Sequence, residues 1–129
     1  MRDYTHDLKA MAAAVADDTA VIYLANPNNP TGTYNRKGEF ESFLEKIPAD
    51  VLIVLDEAYF EYVDCADYPH GRDYYPDHPN LILLRTFSKI YGLSALRLGW
   101  AYAPPHVVDV LHRVREPFKI GRASCRERV

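Results

Sequence analysis

Continuously apolar runs alternate along the chain with segments whose apolar residues recur every three or four positions. The first recurring segment predicts a helix over residues 5–15, with Thr5 as its N-cap. The run at 21–25 is apolar throughout and predicts a buried strand. Residues 26–32 contain two prolines and a glycine, which predict a loop.

The second helix is predicted over 36–46, with Asn35 as its N-cap and Pro48 at its end. The apolar run at 51–55 follows and predicts a strand covered on both faces. A polar connection rich in tyrosine and proline then leads to a third predicted strand at 81–84.

A fourth strand is predicted over about 98–103 and ends at two prolines. The last helix begins near His106. Its apolar positions are expected to face inward, and they are Val107, Val110, Leu111 and Val114. Apolar strands that alternate with amphipathic helices predict an α/β layer around a mostly parallel sheet with flanking helices. At least one edge of this sheet is expected to lack its neighbouring strand.

Composition limits the class of protein. A chain of 129 residues suits one domain or a piece of a larger one. The net charge of −3 argues against a general nucleic-acid binder, and no apolar run approaches the ~20 residues of a membrane span. Two cysteines are too few for a disulfide scaffold, and the five histidines show no metal-ligand spacing. The default expectation is a soluble cytoplasmic protein without a metal.

Polar and reactive residues follow three of the predicted strands. In open α/β sheets, ligands bind outside the carboxyl ends of the strands. If these strands are parallel neighbours, one crevice receives the following side chains: Asn29, Asp56, Tyr59, Ser88 and Lys89.

The residue types in this crevice indicate the chemistry of a ligand. Lys89, flanked by apolar residues, would be partly desolvated, and its amine would then be a nucleophile toward carbonyls. Asp56 ends an all-apolar strand and needs a cationic partner. Thr86, Ser88 and Arg97 suit a phosphate. Pyridoxal 5′-phosphate (PLP) combines a ring nitrogen, an aldehyde and a phosphate, and so meets all three demands.

Three segments, at 26–32, 54–62 and 85–99, resemble those of fold-type I PLP-dependent aminotransferases. Within this group the sequence is most similar to the histidinol-phosphate aminotransferase family. The similarity is carried by Asn28-Asn29 before Pro-Thr-Gly, by the run Asp56-Glu-Ala-Tyr-Phe-Glu-Tyr62, and by Arg115-Glu-Pro-Phe118. Any one of these motifs is of moderate specificity, whereas three in the family's order and spacing are highly specific.

The resemblance implies a role for each matching residue. Lys89 would bind the PLP aldehyde and later move the proton, and Asp56 would pair with the pyridinium nitrogen. Tyr59 and Asn29 would hydrogen bond to the phenolic oxygen of the ring. The phosphate would be held by Thr86, Ser88 and Arg97.

The resemblance covers about a third of a family member. It implies that residues 1–118 are part of the PLP-binding large domain, without its N-terminal part and without the C-terminal small domain. The implied reaction exchanges an amino group between histidinol phosphate and 2-oxoglutarate, as a step of histidine biosynthesis. The resemblance also implies that the longer parent protein, of which this chain is a part, is a homodimer. Three alternatives stay open: an aromatic amino-acid aminotransferase, a decarboxylase of an amino-acid phosphate, and a non-catalytic truncated product. The chain alone is expected to be inactive.

The last residues differ in character from the rest. Residues 120–129 lack periodicity, and the codons ATC GGA AGA GCG TCG TGT AGG GAA AGA GTG of a sequencing adapter spell them in full. The segment 119–129 is therefore predicted to be a translated adapter and is set aside.

Three further polar residues receive no role in the site. Glu57 and Glu61 are expected to be solvated or structural, and Cys65, beside two acidic residues, is expected to be inert.

Overall fold

The computed structural model describes residues 3–114 and contains one four-stranded sheet. The strands are β1 (Val21–Ala25), β2 (Leu52–Asp56), β3 (Leu81–Thr86) and β4 (Gly99–Tyr102), and they lie side by side in chain order. β1, β2 and β3 are parallel, whereas β4 runs antiparallel to β3. All four predicted strands are present.

Four helices accompany the sheet: α1 (Leu8–Ala13), α2 (Lys37–Leu44), α3 (Gly71–Tyr74) and α4 (Pro105–Val114). Two short 3₁₀ turns, Phe60–Tyr62 and Ser94–Leu96, lie in the connections after β2 and β3. The predicted class, an α/β fold with a mostly parallel sheet and flanking helices, is confirmed. The predicted segment 119–129 lies outside the described residues.

The core lies between one face of the sheet and the helices α1 and α2. In β1 and β2 every second side chain faces this core, because successive residues of a strand point to opposite faces. The buried cluster contains Leu8, Ile22, Leu24, Phe40, Phe43, Leu44, Ile47, Val51, Ile53, Leu55, Leu81 and Leu83. Side chains on the other face, such as Tyr23 and Val54, stay exposed or half-buried. The prediction that β2 is covered on both faces is therefore wrong for the described residues.

Both predicted N-caps are displaced by one or two residues. The carboxylate of Asp7, not Thr5, caps α1 by accepting the backbone N–H of Ala10 at 3.0 Å. Arg36 occupies the N-cap position of α2. Asn35 is buried and ties the loop to the N-terminal segment instead, since its Nδ2 donates to the carbonyl of His6 at 2.8 Å.

Three of the four apolar positions of α4 that were expected to face inward are exposed, and the fourth, Val107, is half-buried. Val110, Leu111 and Val114 are 54%, 50% and 74% exposed. Helical periodicity marks an apolar stripe but does not say what covers it, and within residues 3–114 no element does. The inward orientation predicted for this stripe is wrong in the described part of the chain.

No helix within residues 3–114 is both long enough and apolar enough to cross a membrane.

Candidate active site

The carboxyl ends of β1, β2 and β3 meet at one edge of the sheet. Their register places Ala25 beside Asp56, and Asp56 beside Leu84. Because residues in register share a face and faces alternate along a strand, Asp56 and Thr86 lie on the face opposite the core. This edge collects the reactive residues that the sequence singled out.

Asp56 is half-buried, and both of its carboxylate oxygens accept one hydrogen bond. The backbone N–H of Ala58 donates to Oδ1 at 3.0 Å, and the hydroxyl of Tyr23 donates to Oδ2 at 2.7 Å. Among residues 3–114 the carboxylate forms no ion pair. Each oxygen of an ionised carboxylate can accept a second donor, so Asp56 can still receive a cationic ligand.

Asn29, Tyr59 and Lys89 come together although they follow three different strands. The side-chain amide of Asn29 donates to the hydroxyl of Tyr59 at 3.1 Å. The ammonium of Lys89 lies 4.8 Å from the centroid of the Tyr59 ring, within the range of a cation–π contact. The expectation that these three side chains share one crevice agrees with these contacts.

The environment of Lys89 differs from the prediction. The sequence context predicted a partly desolvated amine, but Lys89 is exposed, as are its neighbours Ile90 and Tyr91. The reason is that Ile90 and Tyr91 are 45% and 54% exposed and so do not cover the amine. Apolar neighbours in the sequence desolvate a lysine only when they fold over it.

The three residues predicted to hold a phosphate are only partly assembled. Thr86 Oγ1 accepts the backbone N–H of Ser88 at 3.0 Å, so the loop turns back on the end of β3. Arg97 has a left-handed backbone (φ 50°), and its guanidinium donates to the carbonyl of Ser94 at 3.1 Å. In the described structure Arg97 hydrogen bonds to neither Thr86 nor Ser88, so the structure does not bring the guanidinium to the two hydroxyls.

A buried ion pair supports the same strand ends from the core face. Glu57 is fully buried, its Oε2 accepts from Arg85 Nε at 2.8 Å, and Arg85 Nη2 lies 2.7 Å from the same oxygen as an ion pair. Its Oε1 accepts the backbone N–H of Gly71 at 2.9 Å. The Arg85 guanidinium also lies over the Phe60 ring at 3.5 Å, and its Nη1 is 3.8 Å from Glu61 Oε1. The solvated role considered for Glu57 and Glu61 is thus wrong, and the structural role is correct.

Burial raises the pKa of the Glu57 carboxyl, and the Gly71 N–H and the Arg85 charge oppose that rise. Neither Arg85 nor Tyr23 was predicted to take part in the site. The signal for both was strand alternation: Arg85 shares the parity of the core residues Leu81 and Leu83, and Tyr23 has the parity of the outer face.

A cavity of about 410 Å³ opens beside this edge. Asn29 and Tyr59 line it, together with Tyr62, and the exposed Cys65 lies at its wall. A larger cavity, of about 890 Å³, lies between α1 and α2 and is lined by none of the predicted site residues. The smaller cavity therefore gives a ligand access to the Asn29–Tyr59 pair.

The site combines an acid without a cation, a pair of hydrogen-bonding groups and a primary amine. Asp56 can bind a cationic ring nitrogen, Asn29 and Tyr59 can bind an anionic ring oxygen, and Lys89 can attack a carbonyl. These residues therefore fit PLP on the ring side. On the phosphate side, Thr86 and Ser88 supply donors near the same edge.

The chain resembles members of one protein family over nearly all of its length. The family model for aminotransferase class I and II matches residues 1–126. A curated relative, histidinol-phosphate aminotransferase 2 from Pseudomonas fluorescens, is 52% identical over 120 residues, which are 93% of this chain and 32% of the relative. Histidinol-phosphate aminotransferase from Brevibacillus brevis is 52% identical over 121 residues, or 94% of this chain and 33% of the relative. The chain thus spans about a third of the length of these curated relatives.

Solved structures show the same fold. The crystal structure of histidinol-phosphate aminotransferase from Sinorhizobium meliloti, in complex with pyridoxal-5′-phosphate, matches with a TM-score of 0.82 and 36% identity. That match covers 93% of this chain and 33% of the other. A decarboxylase from Sulfurospirillum multivorans matches with a TM-score of 0.74 and 23% identity, over 86% of this chain and 32% of that one, which shows the fold alone. On the family match and these identities, the chain belongs to the aminotransferase class I and II family.

Proposed function

We propose that this chain is part of a PLP-dependent aminotransferase that exchanges an amino group between histidinol phosphate and 2-oxoglutarate. The observation that carries the proposal is the meeting of Asn29, Tyr59 and Lys89 at the strand edge where Asp56 ends β2. A site for an aromatic aldehyde with a cationic ring nitrogen needs an amine, hydrogen-bonding groups for the ring oxygen and a carboxylate, and this edge of the sheet has all three.

PLP, when bound, supplies an aldehyde and an aromatic ring that accepts electrons from the substrate's reacting carbon. Lys89 is the primary amine that contacts Tyr59 in the described part of the chain, and it would hold the cofactor through its aldehyde. Freed from that bond, the same amine would move a proton from the substrate's α-carbon to the carbon that was the cofactor's aldehyde.

Asp56 and the Asn29–Tyr59 pair would orient the ring from opposite sides. Asp56 would keep the ring nitrogen protonated, which increases the electron demand of the ring. The Tyr59 hydroxyl, fixed by Asn29, would donate to the ring oxygen and keep the ring in one plane. Thr86 and Ser88 would bind the phosphate, and Arg97 would join them by turning away from Ser94.

The choice of substrate rests on the two curated relatives with 52% sequence identity, both of which are named for histidinol phosphate. An aromatic amino-acid aminotransferase and an amino-acid-phosphate decarboxylase remain the alternatives, since both share the fold and the cofactor. The homodimeric parent and the cytoplasmic location also remain predictions.

Covalent capture of the cofactor tests the assignment of Lys89. The full chain is incubated with PLP, reduced with borohydride and digested, and the modified peptide is identified by mass spectrometry. We expect the pyridoxyl group on Lys89, with none retained specifically in Lys89→Ala. Lys46→Ala, which changes an exposed lysine remote from the site, is the matched control and should be labelled as the wild type is. Equal labelling of exposed lysines, with no preference for Lys89, would refute the assignment.

The reaction itself is tested in the complete gene product. Histidinol phosphate, phenylalanine and a phosphorylated amino acid are compared as substrates with 2-oxoglutarate present. Glutamate formation fastest with histidinol phosphate supports the proposal. Fastest transfer from phenylalanine, or release of carbon dioxide, would replace the substrate or the reaction while keeping the cofactor site.

A further inference from the structure

The hydrogen bond between Tyr23 and Asp56 is a polar contact at this edge that the proposed reaction does not use. Tyr23 lies in β1 and Asp56 at the end of β2, and both face away from the core. Tyr23 is in register with Val54, so its ring reaches diagonally along the strand pair to the carboxylate two residues further on. The O–O distance of 2.7 Å is that of a strong hydrogen bond to an ionised acceptor.

We propose that Tyr23 is a positioning residue for Asp56: its hydroxyl fixes the carboxylate so that one lone pair of each oxygen stays directed at the ligand's cationic nitrogen. This inference rests on the proposed function. It adds a residue that lies outside the three sequence segments from which the site was predicted.

The geometry of the carboxylate supports this role. Ala58 N–H holds Oδ1 through a backbone turn, and Tyr23 alone among the described side chains holds Oδ2. Without Tyr23 the carboxylate can rotate about its last side-chain bond, because the remaining contact restrains one oxygen only. A freely rotating acceptor binds a fixed cation less well, since its orientation must be restricted when the ligand enters.

Tyr23 can keep this role over a wide pH range. Burial and the neighbouring Asp56 raise the pKa of the Tyr23 hydroxyl to about 12, so it stays a donor throughout the physiological range. The ring itself is 55% exposed, which leaves packing against the core a minor part of its contribution. A substitution that removes only the hydroxyl therefore separates positioning from folding.

The experiment compares two tyrosines that each donate to a carboxylate. Tyr23→Phe removes the bond to Asp56, whereas Tyr74→Phe removes a bond of 3.1 Å from Tyr74 to Glu41, remote from the site. PLP affinity is measured by equilibrium titration of the full chain. Loss of one such hydrogen bond predicts roughly five- to tenfold weaker PLP binding in Tyr23→Phe and no change in Tyr74→Phe.

A second measurement needs no cofactor. Tyrosine labelled at the ring carbon next to the hydroxyl reports its ionisation by NMR, and the Tyr23 signal is the one that Tyr23→Phe removes. At pH 10.5, where circular dichroism confirms that the chain stays folded, Tyr23 should be largely protonated in the wild type. It should ionise more readily in Asp56→Asn, because the carboxylate that raises its pKa is gone.

The possible outcomes are distinct. Unchanged Tyr23 ionisation in Asp56→Asn would overturn the inference, since the pair would not form in solution. Equal PLP affinity in Tyr23→Phe and Tyr74→Phe would overturn it as well, because the pair would form without serving the ligand. If the wild-type chain takes up no PLP at all, the proposed function fails first, and the role of Tyr23 fails with it.

Discussion

Replacing Arg85 should lower the free energy of unfolding far more than replacing an exposed lysine of the same charge. Arg85 Nε donates to Glu57 Oε2 at 2.8 Å, Arg85 Nη2 lies 2.7 Å from the same oxygen as an ion pair, and Glu57 has no exposed surface. Arg85→Met keeps much of the aliphatic stem and leaves a buried carboxylate without its cation. Breaking a buried pair in this way costs about 3–5 kcal/mol of unfolding free energy, a large part of the ~5–15 kcal/mol typical of a domain.

Lys37→Met is the matched control, because it makes the same kind of change in an exposed pair. Lys37 Nζ and Glu41 Oε1 are 3.9 Å apart on the surface of α2, and the two side chains are 60% and 43% exposed. An exposed pair at this spacing contributes about 0.3–0.5 kcal/mol. The assay is urea unfolding of the full chain at pH 7, followed by circular dichroism. Equal losses in the two variants would refute the argument that burial makes the Glu57–Arg85 pair important.

Lowering the pH should reduce the loss of stability that Arg85→Met shows relative to the wild type. Burial raises the pKa of Glu57 in the folded state, and without Arg85 that rise is larger. A carboxyl whose pKa is higher in the folded than in the unfolded state binds more protons when the chain is folded. Its contribution to stability is therefore greatest below the pKa of the unfolded state, and it is lost as the pH rises through the pKa of the folded state. The gap between wild type and variant should therefore narrow as the pH falls from 7 toward 4. A gap that stays constant over that range would show that the loss is not the cost of a buried charge.

Three further substitutions test the packing that supports the site, each by urea unfolding of the full chain. Gly71→Ala should destabilise by about 1–3 kcal/mol, because its new Cβ would lie 2.5 Å from Leu83 Cδ2. Gly38→Ala, the control, has open space around the new atom and should be neutral or stabilising. Equal effects of the two substitutions would contradict the clash at Gly71 as the cause. Asp7→Ala should lose about 0.5–2 kcal/mol with the cap of α1, and an unchanged midpoint would show that the cap is replaced by water. Leu24→Ala should cost about 2–5 kcal/mol, and a loss below 1 kcal/mol would mean that the core collapses around the deletion.

The positions of the strands could be predicted because each apolar run is bounded by residues that cannot continue it. The run at β1 ends at Asn26 and Pro27, and the run at β2 ends at the acidic pair Asp56-Glu57. The parallel pairing of β1 and β2 followed from the helix predicted between them, whereas the connection from β2 to β3 was predicted only as a polar segment rich in tyrosine and proline. These signals are local, so one sequence carries them without any knowledge of distant contacts.

The exposure of α4 and of Lys89 could not be predicted in the same way. An apolar stripe or an apolar neighbour in sequence shows what a segment can bury, but whether it does so depends on elements elsewhere in space. The caps failed for a similar reason: Asn35 is a good N-cap residue, but its side chain is used by the carbonyl of His6. Competition between local and long-range partners is not visible in the sequence around one residue.

Strand alternation explains how this edge can be both rigid and reactive. Asp56 and Glu57 are consecutive, as are Arg85 and Thr86, so in each pair one side chain faces the core and the other faces away from it. The core-facing members, Glu57 and Arg85, join the ends of β2 and β3 through a buried ion pair. That pair fixes the backbone from which Asp56 and Thr86 project, with no contact to a ligand of its own. A loosened pair should therefore weaken ligand binding on the opposite face, because Asp56 and Thr86 would no longer keep a fixed separation.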